Sequence, residues 1–167
     1  SHLADGTITV GHEIRKLAIV SDNEAFNRLY ELVGQDGLAR SLARAGLTEP
    51  RIVHRLAEPR TAAENLRAPL VDFRGTDFRH AIPARTALAL PPPPPLLGLL
   101  VGSGYLADDQ LVEGPMDFSA KNRITLAELQ RALCKLVRPD VACGTGPVFR
   151  LDEGDRAILI DAMTQLP

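Results

Sequence analysis

The chain has 167 residues, enough for one domain with a real core. Its formal net charge of −2 gives no electrostatic case for nucleic acid or an anionic membrane, and an aromatic content of 4% without Trp leaves no base-stacking platform. No stretch of about 18 apolar residues occurs, so no membrane span is expected.

The first residues lack the charged start, apolar run and small-residue cleavage site of a signal peptide. With no initiator Met, and Ser1-His2 in the form of a cloning remnant, a processed or excised segment is expected, and the absent signal is then silent on compartment. Between Thr9 and Val20, the apolar residues Val10, Ile14, Leu17, Ala18 and Val20 are spaced for a helix over 9–20. Ser21, Asp22 and Asn23 interrupt it with three residues that favour caps over helix interiors. A second helix is expected over 23–33, where Ala25, Phe26, Leu29, Leu32 and Val33 share one face. Gly34 can close it with a positive φ. A short third helix over 37–45 runs through Leu38, Leu42 and Ala45 to Gly46.

Ile52-Val53 reads as extended chain, and helical periodicity is then lost over about 57–118, where Pro and Gly are frequent. Pro91 to Pro95 should be polyproline II, either a surface spacer or a docking element for a partner groove. Leu96, Leu97, Leu99 and Leu100 beside it call for burial. Tyr105-Leu106 and Gln110-Leu111-Val112 flank Asp108-Asp109 and can form one small hairpin. Thr125 followed by Glu128 is a capping box for a helix over 125–137, with Leu126, Leu129, Leu133, Leu136 and Val137 as its apolar stripe and Pro139 as its stop. Asp152 caps a last helix over 152–165, with Ala157, Ile158, Ile160, Ala162 and Met163 as the apolar face. The expected architecture is one mainly α domain over 1–167, with five helices and a long irregular Pro-rich excursion.

Cys134 and Cys143 are too few for a disulfide framework. Cys134 lies on the apolar stripe, where a buried free thiol is the expectation and a disulfide the alternative. His2, His12, His54 and His80 are dispersed and show no metal-ligand spacing, with His54 reading as structural. Gly102-Ser103-Gly104 lacks the Lys-Ser/Thr of a phosphate loop, and Asp108-Asp109 lacks the ligand spacing of a Ca²⁺ loop. No metal or cofactor is expected.

The motif that carries chemistry is Ser21-Asp22-Asn23 with Asn27 four residues on. At a helix–helix corner the Ser hydroxyl can pass a proton to a leaving nitrogen, and the Asn amide can hold a substrate amide. Asp22 would turn inward to cap and fix the corner. Standing alone, the triplet would be no more than a helix start. It is followed by Val33-Gly34, a short helix to Ala45-Gly46-Leu47, then Arg55-Leu56 and, farther on, Asn122-Arg123-Ile124-Thr125 before a helix.

This series resembles class A β-lactamases, penicillin-binding proteins and the related β-lactamase-like serine hydrolases. It is most specific over 14–56, weaker over 104–166 and weakest over 57–103. Tyr105-Leu106, Leu111-Val112 and Gly114-Pro115-Met116-Asp117-Phe118 resemble a bacterial subgroup with an enlarged loop. The resemblance implies the helical subdomain of a hydrolase that transfers acyl groups at β-lactam or peptidoglycan-like amides. Ser21 would be the proton relay and Asn23 the substrate binder. Asn27 would steady an Ω-loop opened by Arg55-Leu56, in which Glu58 or Glu64 stands where a deacylation base is found, or is only a solvated carboxylate. The expected partner is a small-molecule or peptide substrate, in a periplasmic or secreted setting.

The family's Ser-x-x-Lys nucleophile and Lys-Thr-Gly strand are missing from these residues, and Gly144-Thr145-Gly146 has Cys143 where the Lys should stand. The chain alone should therefore be inactive, and apolar surface left bare by missing segments should favour a homodimer. The alternative is a non-catalytic helical binding module that uses the Pro-rich excursion.

Overall fold

The computed structural model describes residues 6–91 and 98–165. The proline run from Pro92 onward, with Leu96 and Leu97, and the Ser1-His2 start lie outside the described residues.

Helix α1 (Val10–Val20) is capped by Thr9, whose side chain accepts from His12 N, and it ends at Ser21 in the left-handed region. Helix α2 (Asn23–Val33) starts at once, capped by Asp22, and stops at Gly34, whose φ of 80° is readily open only to glycine. Helix α3 (Gln35–Arg44) opens two residues ahead of the expected Gly37, because Gly34 ends one helix and starts the next. Helices α5 (Leu126–Val137) and α6 (Glu153–Thr164) follow the excursion, and α1 packs against both α2 and α6.

The excursion is not irregular, and the mainly α expectation is corrected here. It holds a short helix α4 (Ala62–Asn65) and eight short strands, so the described residues form a mixed α/β chain. β1 (Arg67–Ala68) pairs antiparallel with β4 (Arg85–Thr86) and encloses the hairpin of β2 (Val71–Arg74) and β3 (Arg79–Ile82). β5 (Leu100–Val101) pairs with β8 (Met116–Asp117) around the hairpin of β6 (Gly104–Ala107) and β7 (Gln110–Glu113). The second arm contains the expected hairpin, and Asp108 and Asp109 both take positive φ in its two-residue turn. The strands are two to four residues long and each sheet has two strands, so no long alternating run announces them. Of the leucines expected to be buried, Leu99 is half-buried and Leu100 stays exposed on this arm.

Helix α5 buries only Leu136 of its expected apolar stripe. Leu126 is 86% exposed, and Leu129, Leu133 and Val137 also face outward, while Glu128, Lys135 and Leu136 are buried. Glu128 does not complete a capping box. Its backbone N–H donates to Thr125 Oγ1, but its carboxylate reaches across to accept from Thr48 N (2.9 Å) and Glu49 N (3.0 Å). The complete capping box is instead Thr61 with Glu64 on α4. Lys135 Nζ donates to the Thr145 and Gly146 carbonyls at 2.9 Å and to Pro147 O at 3.2 Å, folding the 139–150 loop onto α5. Gly146 meets Gly46 backbone to backbone, and a Cβ at Gly46 would collide with the Thr145 carbonyl. The Gly144-Thr145-Gly146 run is thus a bend held by Lys135, not a strand.

Helix α6 likewise turns Arg156, Leu159, Ile160 and Ala162 inward and leaves Ala157, Ile158 and Met163 exposed. Arg156 donates to the Leu136 carbonyl at the end of α5, which explains why a cation lies on the inner side. Cys134 and Cys143 are joined, with Cα atoms 5.8 Å apart, within the ordinary range for a disulfide. The free-thiol expectation for Cys134 is corrected: the turn after Pro139 brings Cys143 back onto α5.

Candidate functional site

The corner between α1 and α2 is built from its charges. Ser21 has φ 52° and ψ 42°, a left-handed conformation that costs a non-glycine residue about 1–2 kcal/mol. That strain persists because both flanks are fixed. Asp22 Oδ1 accepts from Ala25 N at 2.8 Å, and Lys16 Nζ lies 3.0 Å from Asp22 Oδ2. The Ala25 N–H first, and Lys16 second, hold the Asp22 carboxyl below its ordinary value. The cap is therefore present above the usual carboxylate range and is lost only as pH falls through that lowered value. Lys16 is also 3.8 Å from Glu13, which is buried and accepts from Arg28 NH1 at 2.8 Å. Arg28 in turn pairs with Glu24 at 2.8 Å. The chain Asp22, Lys16, Glu13, Arg28, Glu24 stitches the end of α1 to the start of α2.

Ser21 and Asn23 are exposed at this corner. Asn27 lies one turn beyond Asn23 on the same face and is buried. Its Nδ2 donates to Leu56 O at 2.9 Å and reaches Glu58 Oε1 at 3.4 Å, while its Oδ1 accepts from Leu56 N at 2.8 Å. Asn27 thus clamps the 55–58 loop to α2. Glu58 is exposed and ion-paired to Arg60 at 3.0 Å. The left-handed Ala57 (φ 53°) is the kink that precedes it.

Glu64 is committed elsewhere. It accepts from Thr61 N at 2.8 Å and Thr61 Oγ1 at 2.7 Å, and these bonds, led by the backbone one, lower its pKa. A carboxylate so stabilised is a poor general base.

The structure therefore brings Asn27 and Glu58 together and seats Asp22 under the corner. Ser21 and Asn23 remain open to solvent. A cavity of about 720 Å³ has Ala57, Glu58 and Pro59 in its wall, but Ser21, Asn23 and Asn27 do not line it. Sequence reasoning missed Lys16, because a Lys six residues before a capping Asp has no motif. It also missed Tyr30 and the role of Asn65, residues that close the loop from below. Tyr30 Oη donates to Asn65 O at 2.9 Å, and Asn65 Oδ1 accepts from Arg55 N at 2.9 Å. Burial pushes the Tyr30 phenol up to about 12, against the opposing pull of Arg55, so the hydroxyl remains a donor through ordinary alkaline pH. Among the described residues no three His, Cys, Asp or Glu side chains converge as a metal-binding group.

With Asn27 as the clamp, Asn27→Ala should lower stability by about 1–2 kcal/mol, since two part-buried backbone groups of Leu56 lose their partner. Urea unfolding with amide exchange at Leu56 measures this. Unchanged exchange at Leu56 would show that the loop is held without Asn27.

A family model described as the beta-lactamase enzyme family matches residues 1–90. No curated protein and no solved structure matches the chain. The matched stretch contains the Ser21-Asp22-Asn23 corner, Asn27 and the loop from Arg55 through Glu58, and it spans more than half of the 167 residues. With the corner and its clamp in place, the chain belongs to the beta-lactamase enzyme family.

Proposed function

We propose that this chain is the helical part of a β-lactamase-like serine hydrolase and supplies one wall of its cleft. The observation that carries this reading is the exposed pair Ser21 and Asn23 on a corner locked from beneath by Asp22 and Lys16. In acyl transfer at a β-lactam or peptidoglycan-like amide, Ser21 passes the proton to the leaving nitrogen and Asn23 holds the substrate's amide. Asn27 sets the height of the loop, and Glu58 is the loop carboxylate on this side. The 167 residues contain neither Ser-x-x-Lys nor Lys-Thr-Gly, so no acyl-enzyme forms on this chain by itself. A periplasmic or secreted setting is supported by the Cys134–Cys143 disulfide, a bond that persists in oxidising compartments.

The test is covalent labelling with a fluorescent penicillin, read by intact mass. This chain should show no adduct. A longer chain in which these residues are joined to Ser-x-x-Lys and Lys-Thr-Gly elements should acylate, and Ser21→Ala or Asn23→Ala should slow it by about 10²-fold. A stoichiometric adduct on the 167-residue chain, or acylation indifferent to both substitutions, contradicts the proposal.

The outward face of α5 supports a second reading, association between copies. Leu126, Leu129, Leu133 and Val137 form an apolar strip with no cover among the described residues. Two copies joined through this strip bury it. Sedimentation should show a concentration-dependent dimer that Leu129→Glu/Leu133→Glu returns to monomer. A monomer at high concentration rules this association out.

A further inference from the structure

Behind the 55–60 loop lies a charge arrangement that acyl transfer does not use. The cavity of about 720 Å³ has Val53, Pro59, Leu66 and Leu90 in the apolar part of its lining. Its cations are unequal. Arg55 is matched by Glu31 at 2.8 Å and Arg60 by Glu58 at 3.0 Å. Arg51 and Lys121 also line it, and neither side chain has an acidic or hydrogen-bonding partner among the described residues.

Arg51 is placed at a cost. It is half-buried, and an isolated antiparallel bridge sets it opposite Arg123, with N–H to carbonyl bonds of 2.8 Å in both directions. Two guanidinium side chains are thus held in register by the backbone. Burial first, and Arg123 second, disfavour the charged form of Arg51. Arg123 NH1 donates to Ser119 O at 2.9 Å, and as a like charge Arg123 cannot relieve Arg51. His54, also in the lining, is fully engaged: its Nε2 accepts from Asn122 N at 3.1 Å and its Nδ1 bonds Arg55 O at 2.6 Å. A half-buried cation facing a like charge is stabilised when an anion fills the space before it. The apolar part of the lining is aliphatic, and His54, its one aromatic ring, already has both nitrogens bonded, which suits an alkyl chain better than a base or a sugar.

We infer that this cavity is a second ligand site, separate from the Ser21–Asn23 corner, which takes a small carboxylate with an aliphatic tail. The head group faces Arg51 and Lys121, and the tail lies against Leu66 and Leu90. The inference stands independently of acyl transfer, since none of its residues is Ser21 or Asn23. Because Ala57, Glu58 and Pro59 form a shared wall, occupancy should also be felt by the loop.

Octanoate is the probe, titrated into the ¹⁵N-labelled chain with amide shifts as readout and octanol as the uncharged comparison. The expected result is saturable millimolar binding that moves amides in 51–60 and 119–121, with octanol weaker. Arg51→Gln/Lys121→Gln should weaken octanoate at least about tenfold, as loss of charge-assisted contacts requires. Arg15→Gln/Arg44→Gln, which removes the same net charge at other positions, should leave it unchanged. The single variant Lys121→Gln, on an exposed side chain, keeps the comparison readable if the double variant unfolds. The inference is overturned by absent saturation at millimolar octanoate, by affinity insensitive to Arg51 and Lys121, by octanol binding equally well, or by shifts confined to another surface.

Discussion

The buried guanidinium of Arg55 is the constraint on which the site side of this chain depends. It is only 5% exposed, and a charge so placed must be satisfied on every side. Its Nε donates to Glu31 at 2.8 Å, its NH2 to Arg67 O at 2.7 Å, and its NH1 reaches Glu64 O at 3.3 Å and Asn65 Oδ1 at 3.4 Å. The plane also lies over the Tyr30 ring, 5.5 Å from its centroid. One side chain thus joins helix α2, the short helix α4 and the first strand of the excursion. The planar fork of arginine suits this task, and a lysine could reach only some of these acceptors.

From that hub the loop is aimed by a second polar device. Arg55 closes the neck of the 55–67 segment, and Asn27 fixes its first residues against the face of α2 that also carries Asn23. The corner above is held in turn by Asp22 and Lys16. Apolar packing contributes modestly here: the most buried hydrophobic residues include Ala25, Ala45, Ala68 and Ala162, small side chains that permit close approach rather than filling a large core. Specific hydrogen bonds, not shape, decide where Ser21 and Asn23 stand.

This division explains what could be read from the sequence. The Asp108-Asp109 turn was legible because two adjacent residues decide a tight hairpin. The Ser21-Asp22-Asn23 corner was legible because a cap is a local event. The other six strands were not, since strands of two to four residues carry no reliable alternation. The facing of α5 was misread for a different reason: Glu128 and Lys135 are drawn inward by backbone groups of Thr48, Glu49, Thr145 and Gly146, far away in sequence or across a loop. A hydrophobic pattern shows which side of a helix prefers to leave water, and such long-range polar demands can outweigh it. Lys16 and the role of Asn65 were hidden in the same way, because their partners are set by the fold.

The account rests on Arg55 organising the loop that the corner overlooks. Amide exchange read by mass spectrometry on Arg55→Met tests it most directly, because methionine keeps an unbranched apolar stem and removes every donor. The account predicts that protection is lost across 56–66 while helices α5 and α6 keep theirs. Unchanged protection across 56–66 would contradict it and would mean that the loop is held by contacts in which Arg55 takes no part.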